Sequence, residues 1–267
     1  MISLRNLNYS YTLRDGALSA LKNINLDIRS GEYISLMGPN GSGKSTLAKI
    51  IAGLISDFSG VYLLDENNIS LDNNLALENT GMIFQNPDNQ IISMTIESEL
   101  AFPMENKGLP PSEMKVRINN IASIFKLESL LNRDPNTLSG GEKQRLVIAS
   151  MLTIGPEILI LDEPTSLLDP EDRLHILKIL DDIHNENGLY NQFNAVKPII
   201  IHITQFPEEA LKSHRLLVLN DGAIEYDGQP FEVFENIHRD KKRIIPLPPL
   251  MQDNLNTDAK PQIPERY

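Results

Sequence analysis

Residues 32–55 read EYISLMGPNGSGKSTLAKIIAGLI: an apolar run, a glycine-rich turn, then apolar residues at helical spacing. Inside it, GPNGSGKS (38–45) fits the phosphate-binding pattern G-x-x-x-x-G-K-[ST]. The fit has a physical basis. Glycines at Gly38, Gly41 and Gly43, with Pro39, Asn40 and Ser42 between them, let backbone N–H groups close around phosphate oxygens. The helix opening at Lys44, Ser45 and Thr46 aims its positive dipole end at the same place. Lys44 suits the β- and γ-phosphates, and the Ser45 hydroxyl suits a Mg²⁺ ion.

Outward from this stretch, strand and helix patterns alternate. KNINLDI, VYLLD and GMIFQ read as short strands, while EILILDE and KPIIIHIT are apolar runs typical of strands buried on both faces. EKQRLVIASMLT and PEDRLHILKILDDIHNEN read as helices, and so does most of the stretch from Asn86 to Leu138, broken at KGLPPSE. The alternation predicts an α/β fold with a mainly parallel sheet. Asp162 ends one buried strand, where a carboxylate can hold the Mg²⁺ shell; Glu163 beside it suits a general base for attacking water. A nucleotide hydrolase follows from the two motifs together.

LSGGEKQR (138–145) supplies a second anion-binding helix start. With it, the chain resembles the ABC ATPase family, whose motifs run in the same order across residues 1–235. The resemblance implies an ATPase core at 1–237 with an antiparallel β subdomain and a helical subdomain inserted at about 87–150. It also implies a head-to-tail dimer, in which one subunit's phosphate loop and the other's Ser139, Gly140 and Gly141 sandwich ATP. By the same resemblance Gln85 matches the glutamine that contacts Mg²⁺ and water, Asp169 matches a loop crossing the dimer interface, and Tyr11 sits where an aromatic stacks on adenine. Tyr9 reads as the core tyrosine of the pair.

FQNPDNQ (84–90) and ESELAFPMENKGLP (97–110) resemble the ATPase subunits of energy-coupling factor transporters, although Pro103 stands where that pattern more often has glycine. Those ATPases pair with a second ATPase, as a homodimer or heterodimer. They work with a transmembrane coupling subunit and a small substrate-binding membrane subunit, importing vitamins or transition-metal ions. The other readings are an ATPase of a different ABC importer or exporter, and a soluble ABC ATPase. ITQFPEEA (203–210) aligns with I-T-H-x-x-x-E-A, so Gln205 stands where that pattern has its γ-phosphate-sensing histidine. Glutamine can donate a hydrogen bond there but cannot become cationic. His202, an odd number of residues away, points to the opposite face and reads as a core residue.

Composition narrows the classes further. The 267 residues carry a net charge of −12, which disfavours nucleic acid as a partner. With no cysteine, disulfides and thiolate chemistry are excluded. The first residues lack a signal-peptide layout, and no 18-residue apolar run occurs. Together with the resemblance, this predicts a peripheral protein on the cytoplasmic face of the cell membrane. The tail, 238–267, opens with the basic, proline-rich HRDKKRIIPLPPL and reads as a partly disordered, solvated end.

Overall fold

The computed structural model describes residues 1–14, 16–70, 73–185, 188, 197–249 and 251. Its centre is a six-stranded sheet of β3 (Tyr33–Met37), β6 (Thr80–Ile83), β7 (Ile158–Asp162), β8 (Ile199–Ile203), β9 (Arg215–Asn220) and β10 (Ala223–Gly228), in the order β10-β9-β3-β8-β7-β6. All its pairs are parallel except β10 with β9. Every residue of β3 and β8 is buried, which is why those segments read as continuous apolar runs. A second, antiparallel sheet has the order β2-β1-β4-β5, from β1 (Ile2–Leu13), β2 (Gly16–Ile28), β4 (Ser59–Leu64) and β5 (Asn67–Asn68).

Side-chain alternation along the central strands divides the core. Ile158 and Ile160 of β7 and Ile199, Ile201 and Ile203 of β8 face the antiparallel sheet and α1 (Lys44–Ile51). Leu159, Leu161 and Ile200 face the helices α3 (Ile96–Asn106), α4 (Pro111–Phe125), α5 (Gly140–Leu152) and α6 (Pro170–His184). Between β6 and β7 the chain is helical, with α3 to α5 and three short 3₁₀ turns at Pro87–Asn89, Glu128–Leu130 and Pro135–Thr137. The short α2 (Asn74–Asn79) precedes β6.

Pro103 lies inside α3. A proline has no N–H for the carbonyl four residues back, so the Glu99 carbonyl loses its helical donor. Ser150 Oγ of α5 donates to that oxygen at 2.8 Å instead, pinning the two helices together.

The tail departs from the sequence expectation over its described part. After α7 (Pro207–Ala210) and α8 (Pro230–Arg239), the basic residues 238–243 are exposed as expected. Ile245, however, is buried, and Ile244, Leu247 and Met251 pack with it on a third core of Met37, Val218, Val233 and Phe234. Apolar area is removed from water there at the cost of ordering a short segment. Residues 252–267, also expected to be partly disordered, lie outside the described part.

Candidate functional site

The loop between β3 and α1 closes as the glycines require. Gly43 has φ +104°, and a Cβ there would fall 2.6 Å from the Ala20 carbonyl oxygen, so no other residue fits unstrained. Lys44 Nζ donates to the carbonyl oxygens of Gly38 at 2.9 Å and Pro39 at 3.0 Å. Burial pushes the Lys44 pKa down, opposed by the carboxylates of Glu163 and Asp162. Those two side chains therefore lie within electrostatic reach of the loop's lysine, as a nucleotide hydrolase requires. Ser42 Oγ is buried without a hydrogen-bond partner among the described residues, a polar atom lining the loop and suited to a phosphate oxygen.

Asp162 ends β7, and Glu163 follows in the left-handed region at φ +51°. Its N–H donates to the Ile203 carbonyl at 3.0 Å, which ties the turn to the end of β8. Gln85, just past β6, donates through Nε2 to Glu163 Oε2 at 3.3 Å and to Ser166 Oγ at 3.2 Å. Strands β6, β7 and β8 are parallel neighbours, so their C-terminal ends bring Gln85, Glu163 and Gln205 to one edge of the sheet. Gln205 is exposed one residue beyond Thr204, whereas His202 is fully buried in β8. Ser45 is half-buried in the first turn of α1. The Ser45 hydroxyl, a Gln85 carbonyl and the Asp162 carboxylate are hard oxygen donors, the set that Mg²⁺ accepts.

Tyr11 is half-buried on β1, with its hydroxyl 3.1 Å from Thr46 Oγ1 and its ring edge-on to Tyr9 at 4.9 Å. Tyr9 is half-buried against the core, so the two tyrosines differ less in burial than the sequence reading has it.

Ser139 caps α5 in a reciprocal capping box: its hydroxyl accepts from Glu142 N at 3.2 Å, and Glu142 Oε2 accepts from Ser139 N at 2.9 Å. A Cβ on Gly141 would meet the Asp172 carboxylate at 1.9 Å, so a larger residue would push that side chain aside where the starts of α5 and α6 meet. Asp169 caps α6, its Oδ1 accepting from Asp172 N at 2.9 Å. The LSGG segment and Asp169 thus share one neighbourhood.

The NPDNQ segment has a mechanical basis. Asn86 caps a 3₁₀ turn by accepting from Asp88 N, and Pro87 is buried. Gln90 accepts from Phe84 N at 2.7 Å and donates to Met82 O at 3.0 Å, clamping the end of β6 that carries Gln85. Asp88 Oδ1 accepts from Lys143 Nζ of α5 at 2.6 Å, joining that loop to the signature helix. Sequence reasoning overlooked Thr165, Ser166, Thr204 and Glu209. Thr204 and Glu209 fill the threonine and acidic positions of the I-T-H-x-x-x-E-A pattern but were given no role there; for Thr165 and Ser166 the only signal was their position next to Glu163.

Residues 21–166 match the family described as ABC transporter. The chain is 42% identical over 237 residues to the energy-coupling factor transporter ATP-binding protein EcfA of Pediococcus pentosaceus, covering 88% of this chain and 81% of that protein. It is 40% identical over 237 residues to EcfA1 of Mycoplasma mobile, covering 88% and 82% respectively. Among solved structures, cbiO1 of Clostridium perfringens, part of the ABC transporter complex cbiONQ, superposes with a TM-score of 0.78 at 31% identity, over 96% of this chain and 95% of that one. A dimeric post-hydrolysis ATP-binding cassette, MJ0796 bound to ADP and Pi, gives 0.75 at 30% identity, over 86% and 99%. The chain belongs to the ABC transporter family, as an ATP-hydrolysing subunit of the energy-coupling factor type.

Proposed function

We propose that this chain is one of two ATPases that power import of a vitamin or a transition-metal ion through an energy-coupling factor transporter. The observation that carries the reading is the presence of two anion-binding helix starts in one chain, at Lys44 and at Gly140. The loop at 38–46 lies near Asp162 and Glu163, while Ser139 makes its polar contacts within α5. A second subunit contributing its own LSGG segment completes the nucleotide site, and the similarity to a dimeric cassette supports that arrangement.

In the working site, Gly38 to Thr46 bind the phosphates and Tyr11 lies against adenine. Glu163 holds and deprotonates water, and Gln85 fixes the Glu163 carboxylate by the bond it already makes. Ser45, Gln85 and Asp162 would hold a Mg²⁺ ion, which neutralises charge developing on the phosphates. Asp169 contacts the partner across the dimer. Movement of Gln85 and the NPDNQ segment carries dimer closure to α3 and α5, and from there to a transmembrane coupling subunit beside a small substrate-binding membrane subunit. Among the described residues no helix is long and apolar enough to cross a membrane. Its likeness to transporter ATP-binding subunits supports a peripheral place on the cytoplasmic face.

Gln205 makes the site on this subunit's loop slow, because an amide cannot carry the charge or relay the proton that imidazole can. Gln205→His in the assembled transporter is expected to raise ATP hydrolysis by about tenfold or more; an unchanged rate would sink this part. Affinity isolation of the tagged chain from detergent-solubilised membranes, with mass spectrometry, tests the whole reading. Recovery of a second ABC ATPase, a coupling protein and a small multi-helix protein supports it. Ribosomal or DNA-bound partners overturn it.

A further inference from the structure

Behind Gln205 lies a carboxylate that the catalytic reading does not use. Glu209, in α7, is 1% exposed, yet it is surrounded by donors. Thr165 Oγ1, two residues beyond Glu163, donates to its Oε1 at 2.7 Å, and Thr204 Oγ1, one residue before Gln205, donates to its Oε2 at 2.5 Å. The Arg173 guanidinium of α6 approaches Oε1 to 3.8 Å and lies 3.7 Å above the Phe206 ring. His202 Nε2 is 3.4 Å from Oε2, while Nδ1 of the same ring is 3.1 Å from the Tyr33 hydroxyl. With Tyr33 donating to Nδ1, the neutral ring keeps its proton on Nε2, which lies near the carboxylate without forming a hydrogen bond to it.

The residues flanking Gln205 are therefore both fixed. Thr204 Oγ1 bonds Glu209 and also accepts from Phe206 N at 3.0 Å, and Phe206 is covered by Arg173. On the other side of the carboxylate, Thr165 belongs to the turn that carries Glu163. Burying an acidic side chain is costly unless it is fully bonded. Here that arrangement stands directly between the two motif segments.

We infer that Glu209 is a positioning residue for ATP hydrolysis: its buried carboxylate locks the Thr204–Phe206 backbone to the Thr165 turn and so holds Gln205 at a fixed distance from Glu163. At 1% exposure, Glu209 is closed off behind Thr165 and Thr204. It acts through Gln205, and the inference rests on the placement of Gln205 at the γ-phosphate. Glu209→Gln replaces one acceptor with a donor that faces another hydroxyl donor. Thr165→Val removes one bond and keeps the shape.

The test is steady-state ATP hydrolysis by the transporter complex isolated through a tag on this chain. Both variants are expected to lower kcat about tenfold while KM for ATP stays within about twofold, because the phosphate loop is untouched. In a Gln205→Ala background, adding Glu209→Gln is expected to cost less than twofold more. Three results would overturn the inference: kcat within twofold of the parent for Thr165→Val, a KM that rises as far as kcat falls, or full additivity with Gln205→Ala. The Gln205→His measurement is separate. No gain there would remove the account of a slow site while the coupling between Glu209 and Gln205 stood or fell on its own numbers.

Discussion

Glu163 adopts φ +51°, a region that side chains other than glycine, asparagine and aspartate seldom occupy. The conformation costs about 1–2 kcal/mol, and the turn keeps it because Glu163 N bonds Ile203 O and Ser166 N bonds Glu163 O. Glu163→Gly is expected to relieve that strain, raising thermal stability by about 2–4 °C while cutting hydrolysis at least about a hundredfold. Thermal denaturation beside an ATPase assay would separate the two effects. His202 gives a prediction of opposite kind. Complete burial pushes its pKa from 6.5 down to about 3, so the unfolded chain takes up the proton first as pH falls. The stability His202 contributes is therefore full above pH 6.5 and drains below it, opposed by the Glu209 carboxyl beside it, whose own pKa burial raises. His202→Gln should flatten that slope in urea titrations between pH 6.5 and 4. At this scale the motif residues Lys44, Asp162, Glu163 and Gln85 could be read from sequence because their spacing is itself the signal. Glu209 could not. In ITQFPEEA it fills the pattern's acidic position, but only the fold reveals that it faces inward.

The elements are joined by single side chains whose partners lie far apart in sequence. Ser150→Ala would leave the Glu99 carbonyl without its substitute donor inside the α3–α5 contact. A loss of about 1–3 kcal/mol is expected, measurable by chemical denaturation; restoring the helical donor with Pro103→Ala in the same chain should recover part of it. That pairing explains how α3 tolerates proline where the related pattern more often has glycine. The sequence shows the departure but not its compensation, because the hydroxyl arrives from a helix 47 positions later (103 to 150). The central strands are the opposite case. ILILD and IIIHI needed no partner to be recognised, since burial on both faces is written into consecutive residues.

For the molecule as a whole, the central sheet separates two large cores, and the tail seals a third. Ile245→Ala is expected to destabilise the protein by about 2 kcal/mol or more in urea titrations, with a smaller effect on ATP affinity, because the Phe234 cluster reaches the phosphate loop only through Met37, the residue before Gly38. Docking of this tail was not legible in the sequence. Its apolar residues are few, interrupted by prolines, and lack either helical or strand periodicity. Lys44 carries a consequence for the whole cycle. Its ammonium donates to the Gly38 and Pro39 carbonyl oxygens, so a phosphate that takes those donors exchanges one set of bonds for another, and the binding enthalpy should be smaller than a count of new contacts suggests. What the exchange gains is neutralised charge. Raising the ionic strength should therefore loosen ATP far more than lowering the temperature tightens it.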